Sequence, residues 1–514
     1  MAAKSTEQYV NIREAPGKGE GVFAKRNLTP ADRVYAGSRT AEDAWSFFGQ
    51  YQDADLKICS GCKVARFCGE QCQRQAWKKY HKHECKIFAK LYPKILPESV
   101  RAIVRLALQH KHDLLPQGTW LATLRLVSHY KEFERAGGND LMNLMLTAKA
   151  AAEYSKAADE NTFLLLLCTL KTNAITLQTA YNDPIGLLLD PFLATMNHSC
   201  DANVYLHRPT YTNNTGWLQR KQTAQVALEI MPLRNIVEGE ELTISYIDFQ
   251  RHISERQAEL QKNYFFTCTC AKCVSDISVD IQLRDSDPKF ASLQAHWRAR
   301  ANEHIKKSTN TFLAPEPLSK TTSTLTDIAN AMEKHPNFSP TIDPYNRVIQ
   351  ELKLLYMSES KACDLALTHA LKQHLIIGPQ LYSSPIHPTR IVNALYVLHI
   401  LALLDETFQQ NHDHGPAIER QRKEVEKRGL SRQSFRYWRI RICVEMKKPL
   451  MDSVAQDLAQ CFAMEEASIG PSDRDALEYM LTSESIKTKA EEDMRRLLGV
   501  EQQRWEDVKR HWIM

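Results

Sequence analysis

Five cysteines and two histidines fall within the 27 residues from Cys59 to Cys85. A stretch that short cannot bury a hydrophobic core of its own, so thiolates and imidazoles at this density point to folding around a metal. Cys59-x2-Cys62 and His81-x3-Cys85 form two close pairs, the ligand arrangement of a closed tetrahedral Zn2+ site. His83 is a rival to His81 for the histidine position. Cys68-x3-Cys72 lies between the pairs, at the start of a helix-like stretch running through Trp77.

The rest of the chain sets the context for that reading. It has 514 residues and thirteen cysteines. The N-terminus carries no apolar secretory segment. The longest strongly apolar stretch, Ala394 to Leu404, contains His399 and is about half of the ~20 residues a bilayer requires. The expectation is an intracellular chain without a membrane span, whose cysteines serve as metal ligands and buried residues and not as disulfides. Cys200, Cys268, Cys270 and Cys273 form a second candidate set, while Cys168, Cys363, Cys443 and Cys461 are scattered in apolar or helical contexts and read as buried thiols. Lys and Arg number 66 against 61 Asp and Glu. A formal +5 over this length argues against a dominant nucleic-acid or membrane-surface footprint.

Patterning predicts an α+β chain of about three domains. Residues 1 to about 37 read as short strands around the turn Gly17-Lys18-Gly19-Glu20-Gly21, and from about 97 to 182 apolar residues recur at helical spacing. Strand signals return after His198, in the alternation of Ala224, Val226, Leu228 and Ile230 and again of Leu242, Ile244 and Tyr246. Ser308 to Thr324 reads as a Ser/Thr/Pro-rich loop, and beyond it the pattern is all-α.

The string CSGCKVARFCGEQCQRQAWKKYHKHEC resembles a MYND zinc finger, which uses eight ligands in two interleaved sites. The resemblance implies that Cys59, Cys62, His81 and Cys85 share one zinc, and that Cys68 and Cys72 share the other with an earlier cysteine pair. That pair is missing: AEDAWSFFGQYQDADLKI, ahead of Cys59, holds no cysteine or histidine. Asp53 and Asp55 are poor substitutes for thiolates, so the expectation is one occupied site with Cys68 and Cys72 as unligated thiols. The finger also carries one residue more than the pattern, Tyr80 or a neighbour, before His81. Three further strings, GKGEGVFA at Gly17, NHSC at Asn197, and GEELTISYID at Gly239 followed by YFFTCTCAKC at Tyr264, resemble in order and spacing the SET and MYND family of protein lysine methyltransferases (SMYD). The resemblance covers about residues 10–275.

It implies a split SET β-fold with an inserted finger and helical insert, a post-SET zinc segment and an all-α, helical-hairpin (TPR-like) C-terminal domain. The corresponding boundaries are 1–58, 59–85, 86–182, 183–250, 251–275 and 276–514. Methyl transfer from S-adenosylmethionine to a lysine amine is an in-line displacement that needs a neutral amine, a fixed cofactor and a dry, narrow channel. By resemblance Tyr246 orients the amine and Tyr264 lines the channel and borders the cofactor. Phe266 packs on adenine, and Asn197, His198, Asn173 and His129 surround the cofactor. Gly17, Lys18 and Gly19 form the turn that lets backbone approach it. Glu20 stands where the family has arginine, a charge reversal that weakens binding if its side chain points inward. Cys268, Cys270 and Cys273 with Cys200 make a four-thiolate zinc site that holds Tyr264 and Phe266 in place. The expected function is methylation of a lysine in a histone or non-histone protein. Other protein partners would meet the helical domain, with no membrane and no sequence-specific nucleic acid. The expected location is cytoplasm and nucleus. The alternative is a non-catalytic adaptor with the same fold.

Overall fold

The computed structural model describes residues 8–32, 34, 45–48, 56–67, 69–178, 184–207, 229–309, 318–358, 362–406, 430–451 and 482–499, with shorter pieces at 422–423, 426–427, 459, 462–463, 465–466, 505–506 and 508. The mixture of sheet and helix is α+β, as the patterning predicts. Two compact units result, the first running to Cys268 apart from Asp248–Glu255, the second taking Asp248–Glu255 and the described residues from Thr269 onward.

In the first unit, β1 (Val10–Ala15) and β2 (Gly19–Ala24) form an antiparallel hairpin paired from Val10↔Ala24 to Ala15↔Gly19. The turn between them needs left-handed backbone, which glycine adopts without a Cβ penalty: Gly17 has φ 72° and Gly19 φ 80°. Strands β3 (Trp45–Phe48), β6 (Ile175–Gln178) and β7 (Pro184–Leu189) make a second sheet in the order β3-β7-β6. The short pair β4 (Lys57–Ile58) and β5 (Arg66–Phe67) opens the cysteine-rich segment. Later strands are β8 (Asn197–His198), β9 (Val204–His207), β10 (Glu229–Pro232) and β11 (Glu241–Ile244). Strand β11 joins β2 antiparallel through Leu242↔Val22 and β8 in parallel through Thr243↔Asn197 and Ile244↔His198. Val22, Leu242 and Ile244 pack with Leu28, Met196 and Ile230 into the core beneath this sheet.

Helices fill the interval between the sheets. They are α1 (Glu70–Ala76), α2 (Lys82–Leu91), α3 (Glu98–Lys111), α4 (Thr119–Arg125), α5 (Tyr130–Ala136), α6 (Gly138–Ser155) and α7 (Glu160–Asn173). Helix α7 starts where Asp159 caps it, its Oδ1 accepting the Thr162 N–H at 2.8 Å. Its leucine run then buries against α3 and α6.

Three sequence readings are corrected here. Strands resume at Ile175, ahead of His198, because a short apolar run such as Pro184–Leu189 has the same periodicity whether strand or buried helix. Tyr246 lies two residues beyond the end of β11 and not on the strand. The Ser308–Thr324 segment is helical at both ends, since one helix runs to Thr309 and the next begins at Leu318; the tertiary contacts of Leu325 and Ile328 outweigh weak local propensity. Residues Ala224–Leu228 of the predicted alternation lie outside the described residues.

The second unit's described elements are helical. Helix α8 (Ile253–Tyr264) belongs from Arg256 onward to the first unit, and the second unit continues with α9 (Ala271–Ser286), α10 (Pro288–Thr309), α11 (Leu318–Glu333), α12 (Tyr345–Ser358) and α13 (Cys363–Leu371). After them come α14 (Gly378–Leu381), α15 (Pro388–Glu406), α16 (Arg432–Met451) and α17 (Glu484–Leu498). From α9 to α13 each helix packs on the next in sequence, and the chain of contacts continues through α15 to α16 and α17. The buried Trp438 of α16 donates its indole N–H to the Ala490 carbonyl of α17 at 3.1 Å. Among the described residues one helix stretch, Pro388–Asp405, has the length and composition to cross a bilayer, longer than the apolar stretch read from sequence; 67% of it is buried inside the protein.

Two features of the interior carry measurable consequences. Gly21 sits where β2 passes β11, and a Cβ there would lie 2.8 Å from Glu241 Oε1, 3.0 Å from Asn197 Nδ2 and 3.1 Å from Ala15 Cβ. Both polar atoms are held by other partners, so Gly21→Ala is expected to cost roughly 1–3 kcal/mol in urea unfolding; a loss below the error of that measurement would mean the strands part freely. Lys353 is buried between helices, its Nζ donating to Gln373 Oε1 at 2.7 Å and lying 4.1 Å from the Tyr396 ring centroid. Burial alone pushes its pKa from 10.5 down to about 7. Between those limits the unfolded chain binds the proton that the native chain has shed, so stability rises as pH rises from about 7 to about 10.5. Lys353→Met should flatten that rise in a urea midpoint against pH; an equally steep profile would clear Lys353 as its source.

Candidate active site and metal centres

The finger begins as a tight knuckle. Cys59 N–H donates to the Ala65 carbonyl at 2.8 Å, Lys63 N–H to the Cys59 carbonyl at 2.9 Å, and Ala65 N–H to Cys62 Sγ at 3.4 Å. The two thiols are thereby aimed at the helical side, where His81 and Cys85, four residues apart, share one face. Between α1 and α2 the helix opens into a π turn over Trp77–His81. A π turn accommodates one additional residue without breaking the helix, and the extra residue read from the sequence falls in it.

Cys59, Cys62, His81 and Cys85 come together with their ligand atoms within 4.8 Å of one another. Cys59 and Cys85 sulfurs are 3.9 Å apart, and His81 Nε2 is 3.3 Å from Cys59 Sγ and 3.6 Å from Cys62 Sγ. Tetrahedral Zn2+ requires separations of ~3.8 Å between sulfurs and ~3.6 Å between sulfur and nitrogen, so the donor set fits the ion. His83 is elsewhere, stacked on His112 at 3.8 Å between centroids. Cys72 stands half-buried on α1 and belongs to neither thiol cluster among the described residues. Cys68, Asp53 and Asp55 lie outside the described residues.

The second cluster gathers Cys200, Cys268, Cys270 and Cys273, again within 4.8 Å, a four-thiolate set suited to the same ion. Gln257 of α8 fixes Cys268 by a reciprocal pair, its Oε1 accepting the Cys268 N–H at 2.9 Å and its Nε2 donating to the Cys268 carbonyl at 2.7 Å. His198 links this cluster to Tyr246. Its Nδ1 accepts the Tyr246 backbone N–H at 3.0 Å, which leaves the proton on Nε2, 3.3 Å from Cys200 Sγ.

Around His198 the aromatic residues converge. The Tyr246 ring is 5.2 Å from the His198 ring and 4.9 Å from that of Tyr264, and Phe266 is 5.9 Å from His198. Tyr246 donates its hydroxyl to the Met196 carbonyl at 2.6 Å, and the Tyr264 hydroxyl reaches the Tyr246 carbonyl at 3.4 Å. Burial raises the pKa of both phenols, helped at Tyr246 by neighbouring Tyr264 and Glu241, so both stay protonated. Two hydroxyls committed to donating keep their lone pairs available to accept from an amine.

On the other side of β8, Asn197 Nδ2 donates to the Glu20 carbonyl at 3.0 Å and to Glu241 Oε1 at 2.8 Å. Lys18 Nζ meets Glu241 Oε2 at 2.8 Å. Glu20 is exposed and contributes its backbone carbonyl to Asn197. Open space faces the Cα of both Gly17 and Gly19. Asn173, at the end of α7, donates to the carbonyls of Val127 at 2.7 Å and Thr169 at 2.8 Å, which orients its Oδ1. His129 precedes α5 in left-handed conformation, with its ring 5.4 Å from Phe265 and its imidazole pKa lowered by burial.

Two residues here went unread in the sequence. Glu241 is the common partner of Asn197 and Lys18; its place in the GEEL string was visible, but its partners lie more than forty positions away. Phe265 holds φ 59°, a costly conformation for a bulky residue. Its ring lies 4.9 Å from Phe133 and so faces α5, whereas its neighbour Phe266 lies by His198.

Comparison with known proteins agrees with this geometry. Residues 49–85 match the MYND finger family. The chain is 32% identical over 219 residues to SET domain and MYND-type zinc finger protein 6 of Schizosaccharomyces pombe, covering 42% of this chain and 41% of that protein. It is 28% identical over 298 residues to human histone-lysine N-methyltransferase SMYD1, covering 54% of this chain and 59% of that one. Human histone-lysine N-methyltransferase SMYD3 is 28% identical over 263 residues, 47% of this chain and 57% of the relative. The chain thus spans between about two fifths and three fifths of the length of these curated relatives. Together with the finger and the thiol clusters, these matches show that the chain is similar, over part of its length, to SMYD and other SET- and MYND-domain proteins.

Proposed function

We propose that the protein is an S-adenosylmethionine-dependent protein-lysine N-methyltransferase acting on a histone or non-histone protein. The observation that carries the reading is Tyr246: a half-buried, neutral phenol anchored on the Met196 carbonyl, beside a second neutral phenol, Tyr264. The names of the relatives, histone-lysine and N-lysine methyltransferases, support the same reaction class.

The residues present suit the cofactor. Gly17 and Gly19 leave open backbone, Asn197 and Asn173 offer oriented acceptor oxygens for an ammonium or amino group, and Phe266 offers an aromatic face. S-adenosylmethionine, when bound, supplies an electrophilic methyl group on sulfonium. Tyr246 and Tyr264 would accept hydrogen bonds from the target amine and hold its lone pair in line, while their rings exclude water; a poorly hydrated amine sheds its proton more readily. His198 would hold the Tyr246 backbone against the thiolate cluster, so that metal and tyrosine keep a fixed relation. In this reading the chain is a split SET fold over 1–58 and 183–250, with the finger at 59–85, a helical insert at 86–182, a post-SET segment at 251–275 and a TPR-like helical domain at 276–514. The consecutive packing of the helices supports the last assignment. Protein substrates and partners of the helical domain, and residence in cytoplasm and nucleus, complete the proposal. The adaptor alternative drew on Glu20 and on the missing cysteine pair ahead of Cys59; Glu20 is exposed, and the relatives' names support the enzyme over the adaptor.

Calorimetric titration of zinc-replete protein with S-adenosylmethionine should give saturable one-site binding, weakened by Asn197→Ala and by Phe266→Ala. Tyr246→Phe should keep that binding while transfer of labelled methyl to mixed histones and cell proteins falls by roughly 10²-fold or more; undiminished transfer would take Tyr246 out of its role. Stripping zinc with a chelator should abolish cofactor binding along with stability. Full binding by the metal-free protein would break the link between the thiolate cluster and the pocket.

A further inference from the structure

The finger has a fastening that does not pass through a second metal. His81 Nδ1–H donates to Glu84 Oε1 at 3.0 Å, with both side chains fully buried. Arg105 of α3 grips the same carboxylate with two bonds, Nε to Oε2 at 2.8 Å and Nη2 to Oε1 at 2.7 Å. The Arg105 guanidinium also lies over the Tyr80 ring, 3.8 Å from its centroid. Tyr80 belongs to the π turn, the place where the extra residue is taken up. One helical turn further along α3, the Gln109 side chain reaches the Lys79 carbonyl of the same turn at 3.5 Å.

We propose that Arg105 is a positioning residue for the zinc ligand His81, acting through Glu84 and clamped by Tyr80, and that this stack replaces the constraint of a second zinc. The family's second site needs a cysteine pair ahead of Cys59, and residues 41–58 hold no cysteine or histidine. Its donor set cannot be completed by Cys68 and Cys72 alone. A carboxylate on the far nitrogen fixes the tautomer and ring plane of a ligating histidine and raises its basicity. A guanidinium gripping that carboxylate in two bonds removes its remaining freedom, a geometry lysine cannot copy. The π turn brings the Tyr80 ring to the guanidinium while His81 stays on the thiols, so one insertion serves both ends of the stack.

The test uses the full chain. Metal analysis of the zinc-saturated protein should find two zinc ions per chain, one for each cluster; three would overturn the proposal. Competition with a chromogenic chelator should show the finger zinc bound roughly 10–100-fold more weakly in Glu84→Gln, with the thiolate-cluster zinc unchanged. Arg105→Lys and Arg105→Met should weaken it in the same direction while leaving every ligand and Glu84 in place. Cobalt substitution reads the mechanism: the variants should retain the absorption bands of a three-sulfur, one-nitrogen site at lowered affinity. Should Glu84→Gln fail to fold, the Arg105 variants decide. Wild-type zinc affinity in both of them would show that α3 merely packs beside the finger.

Discussion

The candidate pocket hangs on β11, a strand of four residues. Such a strand has little hydrogen bonding of its own, and it is secured from several directions. Leu242 pairs with Val22 of β2, and Thr243 and Ile244 pair with Asn197 and His198 of β8. Its flank is held by the buried Asn203, whose Nδ2 donates to Glu240 Oε1 and the Glu241 carbonyl, both at 2.9 Å, and whose Oδ1 accepts the Thr243 N–H at 2.9 Å. An amide side chain here extends the pairing beyond the two residues of β8, satisfying backbone groups that would otherwise be buried without partners. From one end of β11 Glu241 reaches Asn197 and Lys18; just past the other stands Tyr246. Both halves of the pocket therefore take their positions from the same short segment.

How much of this the sequence discloses depends on the range of the interaction. Metal spacing is local, so the pairs Cys59/Cys62 and His81/Cys85 could be read as one site before any fold was known, and the structure brings those four atoms together. The strings around Gly17, Asn197 and Gly239 are legible as strings, but nothing in them says that Asn203 will splint β11 or that Glu241 will bridge Asn197 and Lys18 across more than two hundred positions. The conformation of Phe265 is opaque for another reason. Tyr264-Phe265-Phe266 reads as a uniform aromatic run, and only the left-handed backbone at its centre sends adjacent rings to different neighbours.

Secondary structure was misread where local and tertiary preferences diverge. Ile175–Gln178 and Pro184–Leu189 lie next to a leucine-rich helix and share its composition, and strand pairing, not propensity, decides them. The Ser and Thr residues of Leu318–Glu333 favour turns locally, yet the helix forms because Leu325, Ile328 and Met332 bury one face. Lys353 is the reverse case: a residue type that marks surface in any sequence-based reading is enclosed by amide oxygens and a tyrosine ring. Its interior position shows that the second unit tolerates polar groups at its centre where neighbouring side chains supply partners.

The π turn at Trp77–His81 has a bearing on how such fingers are recognised at all. A helix that can widen by one residue turns a ligand spacing into a range instead of a fixed interval, since the added residue changes the path of the backbone and not the aim of the histidine. Divergence along this segment can then proceed by insertion as well as by substitution, with the metal filtering out only those lengths that move the imidazole. Any search that scores rigid intervals between tryptophan and histidine will pass over chains of this kind, and the elasticity belongs to the helix, which no ligand pattern records.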